Sequence, residues 1–171
     1  MGRVHTMLAA LLLTACGGGS DAGAGGGSTA DAGDEDFDAC TLLTAEEIQA
    51  ATGWAPDTSA GKSYGTTRTC AYHGADALKQ SVVLVVARPA PKVSSSADLA
   101  ARRNEQAART PDIKMAITPI EGLGVPAVRS EVEGSTNPTV EAVVGRHLLG
   151  VTASDFEASK ALVPKAAARL K

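Results

Sequence analysis

Ser81-Val82-Val83-Leu84-Val85-Val86-Ala87 is the stretch on which the fold turns. It is a continuous, mostly β-branched run, and Pro89 and Pro91 end it. A run that is apolar at every position reads as a central strand covered on both faces. Working upstream, 74–80 turns the chain and 68–73 reads as a strand. Cys70 and Tyr72 share one inward face of it. Residues 56–67 are rich in Gly, Ser, Thr and Asp and read as loop. Before them comes a complete helix start. Thr44 is the N-cap, Glu47 sits at N3 and reaches back, and Leu43 can staple onto Ile48. Gly53 is placed to end this helix as its C′ glycine, with Trp54 folding back on Ile48.

Downstream, Ser95-Ser96-Ala97-Asp98 opens a second helix that runs to about Arg109, where Thr110-Pro111 stops it. Its apolar stripe is thin, which places it on the surface with Arg102, Arg103 and Arg109 solvated. Alternation then predicts strands through Ile113, Met115 and Ile117 and through Val128, Ser130 and Val132. Two more, 139–144 and 147–153, flank Gly145-Arg146, where Gly suits the first central place of a type II′ turn. Ser154-Asp155-Phe156-Glu157 has the form of a capping box and starts a last helix. Pro164 inside that helix predicts a kink or break at Val163. The links are mostly of hairpin type. The expected class is α+β, a mostly antiparallel sheet of five to six strands with three helices packed against it.

Composition narrows the function. The chain has 171 residues and only five aromatics, Phe37, Trp54, Tyr64, Tyr72 and Phe156. Few anchors exist for stacking a base, a sugar or a flat cofactor. Residues 17–40 hold six acids and no Lys or Arg, whereas from 41 onward 13 acids face 15 bases. The acidity therefore lies in the tail. Nothing resembles the basic stripe that nucleic acid requires, so no nucleic-acid partner is expected.

Arg3, the apolar run 7–15 and Leu13-Thr14-Ala15-Cys16 resemble the signal and lipobox of bacterial lipoproteins. That resemblance implies cleavage before Cys16 and diacylation of its thiol. Nine apolar residues fall well short of the roughly 20 that a spanning helix needs. The implied organisation is a signal at 1–15, the lipidated Cys16 with a flexible Gly/Ser/Asp linker over 16–36, and one globular α+β domain over 37–171. Lipidation also accounts for the odd cysteine among three. Cys40 and Cys70 then remain, and in an exported compartment a disulfide is the default. Two free thiols or a metal site is the alternative, although neither cysteine has the close-spaced ligand partner that metal sites usually bring.

From Asp38 onward the chain resembles a broad class of small bacterial envelope lipoproteins, best known from actinobacteria. The matching residues are Asp38-Ala39-Cys40-Thr41-Leu42-Leu43-Thr44 with Glu47 and Gly53, then Cys70-Ala71-Tyr72, then Gly122-Leu123-Gly124 with Ala127. The resemblance implies a secreted domain with a Cys40–Cys70 bridge and no catalytic residues. Where such chains often read Gly-x-Gly-Asp-x-Ala, this one has Val125-Pro126. The order of elements is also similar to the PsbP-like fold that some mycobacterial lipoproteins adopt.

Motifs for chemistry are sparse. His73 and His147 lack ligands at metal spacing and read as strand or turn residues. Gly122-Leu123-Gly124 lacks the third glycine and the Lys-Ser/Thr of a phosphate loop and reads as a plain turn. Glu131 and Glu133 lie two apart on one strand and read as a solvated edge. The Gly-x-Ser-x-Gly pattern occurs at Gly61-Lys62-Ser63-Tyr64-Gly65, but it falls in the stretch that reads as loop, without the strand-to-helix turn of a nucleophile elbow. Arg102-Arg103 alone is too little charge for a polybasic membrane anchor. No catalytic, metal or cofactor residue is therefore expected. The expected function is a non-enzymatic binding or interaction module, anchored by Cys16 to the cell membrane or outer membrane and facing the periplasm or the exterior. Its partner would be an envelope protein, a lipid or a small solute. The alternatives are an envelope hydrolase, an inhibitor of an envelope enzyme, or a spacer.

Overall fold

The computed structural model describes residues 37–170. The expected signal at 1–15, the lipidated Cys16 and the linker to residue 36 lie outside the described residues.

Helix α1, Ala45–Thr52, has the expected start. The Thr44 side chain accepts from the N–H of Glu47, and the Glu47 carboxylate accepts from the N–H of Thr44. Gly53, at φ +81°, supplies the left-handed residue that ends the helix. Just before α1, a 3-10 turn over Ala39–Thr41 is capped by the Asp38 carboxylate, which accepts from the N–H of Cys40. Cys40 and Cys70 form a disulfide with their Cα atoms 5.1 Å apart.

Seven strands follow: β1 (Thr58–Tyr64), β2 (Thr67–His73), β3 (Ser81–Ala87), β4 (Met115–Ile120), β5 (Ala127–Val132), β6 (Thr139–Val144) and β7 (His147–Thr152). They form one sheet in the order β1-β2-β3-β7-β6-β5-β4. Every pairing is antiparallel. Two meanders, β1–β3 and β4–β7, thus meet along β3 and β7. Helix α2 (Ser96–Ala107) carries the chain from the middle of the sheet to its far edge, and α3 (Phe156–Ala167) closes the fold. Among the described residues the class is α+β with three α-helices, as the sequence implies, but the sheet has seven strands where five to six are expected.

The additional strand is β1, which lies in the stretch that reads as loop. All seven of its residues are exposed. An edge strand held by hydrogen bonds alone shows no apolar alternation, so periodicity misses it. It also needs glycine at two points. Gly65, at φ +56°, makes the two-residue turn to β2. A Cβ on Gly61 would lie 3.2 Å from an Asp38 carboxylate oxygen and 3.4 Å from Cys40 Sγ. Gly61 therefore lets the 3-10 turn approach the edge of the sheet.

The main core covers one face of the sheet. Val82, Leu84 and Val86 of β3 meet Cys70 and Tyr72 of β2, Leu149 and Val151 of β7, Ile48 of α1 and Leu162, Val163 and Ala166 of α3. A small second core lies on the opposite face, where Leu99 and Ala100 of α2 pack on Val128 with Val93, Ile117 and Val143 beside them. Helix α2 packs against β4 and β5. No helix among the described residues packs on the other half of that face, on β2, β3 and β7. Burial along β3 alternates strictly, with Val82, Leu84 and Val86 buried and Val83 and Val85 only half-buried. The expectation of a strand covered on both faces is thus corrected. β3 is central, between β2 and β7, but fully covered on one face only.

Three local expectations are corrected too. Helix α3 runs unbroken from Phe156 through Pro164 to Ala167. Pro164 is exposed, so the bond it cannot make to the Lys160 carbonyl falls on the solvent side, while Leu162, Val163 and Ala166 hold the other side in the core. The N-cap of α3 is Asp155, whose carboxylate accepts from the N–H of Ala158 at 2.8 Å, and not Ser154 in a box with Glu157. Arg103 is not solvated. It turns under α2 and pairs with Glu141.

Candidate functional site

The site is built on the incompletely covered face, at the end of the sheet where the β1–β2 and β6–β7 turns lie. Register defines its floor. Tyr64 stands opposite Thr67, Thr67 opposite Ala87, Ala87 opposite Leu148, and Leu148 opposite Val143. Directly opposed residues share a face, so these five form one row across β1, β2, β3, β7 and β6. Val143 belongs to the second core under α2, which identifies the row's face as the one opposite the main core. Ala87, Leu148 and Val143 are half-buried, and the row ends on Tyr64, which is 62% exposed. The next rows add Val85 with Gly150, then Ala71 with Val83. Thr67 sits within the first row, between Ala87 and Tyr64, and Thr69, Thr139 and Thr152 flank the apolar strip.

Helix α2 forms one wall, and its placement is fixed. The Ser96 hydroxyl donates to the Ile120 carbonyl at 2.7 Å and accepts from the N–H of Ala127 at 3.1 Å. Buried in this way, it ties the helix start to the ends of β4 and β5. Leu99 supplies the apolar contact. The Arg103 guanidinium donates to Glu141, which is 7% exposed and has the Ser130 hydroxyl 3.5 Å away. The Ser95 hydroxyl caps the helix by accepting from the N–H of Asp98 at 3.1 Å.

Between α2, the 89–94 loop and the β6–β7 turn runs an open groove of about 960 Å³. Pro89, Ala90, Pro91, Val93, Ala101 and Val143 supply its apolar lining, and Lys92, Arg102 and Arg146 supply three cations. The loop is held to the turn by the N–H of Ala90, which donates to the Arg146 carbonyl at 2.9 Å. Gly145, at φ +58°, makes that two-residue turn possible. One anion, Asp98, also lines the groove. Hydrogen bonds from Ser94 and Ser95 hold its carboxyl below the usual carboxylate range. Among the described residues, Lys92 and Arg102 enter no ion pair. The lining is thus apolar with an excess of positive charge. That combination suits an elongated ligand with one apolar part and one anionic part.

The residues singled out in the sequence lie elsewhere. His147 is buried, accepts from Arg88 Nε at Nε2 over 2.6 Å, and meets the Phe37 ring edge-on with centroids 6.1 Å apart. His73 closes β2 at the opposite end of the sheet, across from Ser81. Six residues of strand separate that end from Ala87, so the two histidines are roughly 20 Å apart. Glu131 pairs with Arg129, and Glu133 with Lys114. Gly122 and Gly124 form a turn, both at positive φ. Among the described residues, no three His, Cys, Asp or Glu side chains gather to hold a metal ion.

Of the groove, the sequence offers only Arg102 as a solvated cation. Lys92 carries no motif, Arg146 carries only a turn signal, and Tyr64 stands in the stretch that reads as loop. The signal that could have found the site is the surplus of apolar residues in 81–87, because Val83 and Val85 exceed what a one-sided strand requires. No protein-family model, characterised protein or solved structure matches this chain.

Proposed function

We propose that this chain is a membrane-anchored extracytoplasmic lipoprotein, held through a diacylated Cys16, whose domain is a non-enzymatic binding module of the cell envelope. Its place among the small envelope lipoproteins rests on the lipobox and on the Asp38–Thr44 and Cys70–Tyr72 residues that resemble that class. The Cys40–Cys70 disulfide suits an oxidising compartment. The observation that carries the binding reading is the groove beside α2, continuous with an apolar strip that the domain itself only half covers. Monomeric domains seldom leave apolar surface contiguous with a cleft unless something docks there.

Membrane fractionation tests the anchor. The wild-type protein stays with membranes through salt and carbonate washes, and Cys16→Ser moves to the soluble fraction. Retention of the Cys16→Ser protein after those washes would refute the anchor.

A further inference from the structure

We propose that the groove between α2 and the sheet binds a single anionic lipid, with the acidic head group between Lys92, Arg102 and Arg146 and the acyl chain along the row Val143–Leu148–Ala87 toward Tyr64. This deepens the binding-module reading and rests on it. Three independent features converge on that ligand. The first is charge. Lys92 and Arg102, which enter no ion pair among the described residues, outnumber Asp98 and leave the lining net positive. Cations held on an apolar surface attract an anion more strongly than they would in open water.

The second feature is continuity. Val143 lines the groove and is also a member of the row that runs through Leu148 and Ala87, and past Thr67, to Tyr64. A ligand whose head sits by Arg102 therefore has an apolar track leading away from it. The third is the exposed end of that track. A tyrosine 62% exposed beside an apolar strip presents a ring with a polar tip, the kind of residue favoured where lipid meets water. A volume of about 960 Å³ is at the upper end of the range for small-molecule sites. The groove is open rather than enclosed, which suits a long, narrow ligand and exchange with a nearby bilayer.

The test uses the full chain with Cys16→Ser, so that its own acyl groups cannot compete. Lysophosphatidylglycerol, kept below its micelle concentration, is titrated and followed by amide NMR. Shifts are expected at Ala101, Arg102, Gly145 and Leu148, with affinity falling as salt rises. Lysophosphatidylcholine of the same chain length should bind about tenfold more weakly. Glycerol phosphate, which has the anion without the chain, should not bind. Lys92→Ala with Arg102→Ala should weaken binding about tenfold with an unchanged melting temperature. Tyr64→Ser should weaken the long-chain lipid without changing the salt dependence. The proposal is overturned if the shifts fall outside the groove, or if the choline lipid binds as tightly. It is also overturned if glycerol phosphate binds alone, or if the protein adsorbs to phosphatidylglycerol vesicles and ignores the monomer. Fatty acid released in the same sample would instead overturn the non-enzymatic reading and leave the site standing.

Discussion

At the scale of single residues, Tyr72 reports on how the front of the domain is closed. Its hydroxyl donates to the Cys40 carbonyl at 3.0 Å from a buried position, tying the 3-10 turn to β2. Burial pushes its pKa up from 10.0 to about 12. A raised pKa means that the neutral phenol stabilises the fold fully below pH 10, and that this contribution is lost as pH rises toward 12. Urea unfolding across that window should therefore show wild-type stability falling more steeply than that of Tyr72→Phe. At neutral pH the variant should be weaker by about 1 kcal/mol, the worth of one hydrogen bond. Superimposable alkaline slopes would contradict the buried phenol. Arg103 offers a second contrast at this scale. Arg103→Ala leaves Glu141 buried and uncompensated, at a cost of roughly 3–5 kcal/mol. Arg102→Ala, one residue away and exposed, should stay within about 0.5 kcal/mol. Equal losses in urea melts would show that the pair does not lock α2 to the sheet.

Among the elements, the 3-10 turn depends on its covalent tie. The turn and α1 reach the rest of the domain through core contacts and the bridge to Cys70, which closes a loop of 30 residues. Cys40→Ser should cost about 3–4 kcal/mol through the larger entropy of the unfolded chain, visible as a melting temperature lower by several degrees in oxidising buffer. An unchanged value would argue that the bridge adds nothing. How legible each element is in the sequence follows from what holds it. Helix α1 can be read residue by residue, because Thr44, Glu47 and Gly53 satisfy its ends through local chemistry. Strand β1 cannot, because none of Thr58–Tyr64 is a buried residue and the strand exists chiefly through its pairing with β2. Pro164 misleads for a related reason. The rule against proline within a helix concerns a lost bond, and here that bond faces solvent while three neighbours are in the core. Asp155 displaces Ser154 as N-cap because capping depends on which oxygen reaches the third N–H, and two adjacent capping residues leave that open.

For the whole molecule, the two faces of one sheet have different fates. The side carrying Val82, Leu84 and Val86 is sealed by α1 and α3, and its burial is the domain's main core. The side carrying Val83 and Val85 is sealed by α2 only over β4 and β5. The sequence shows that 81–87 is apolar throughout, but it cannot show that one half of that apolarity serves the fold and the other half faces outward. That division depends on where the connection from β3 to β4 lays its helix, which no local pattern encodes. The same placement creates the groove, so the site was as hidden as the topology that makes it. The central claim is that the half-covered face is kept apolar for a ligand and not for stability. Its most direct test is the unfolding free energy of Val83→Thr with Val85→Thr, set beside that of Leu84→Ala. Threonine keeps the β-branched shape and adds a hydroxyl, which costs little on a face open to water and a great deal in a core. The expected result is a loss below about 1 kcal/mol for the double variant, against about 2–5 kcal/mol for Leu84→Ala. A double-variant loss as large as that of Leu84→Ala would mean that Val83 and Val85 are core residues, and would contradict the account.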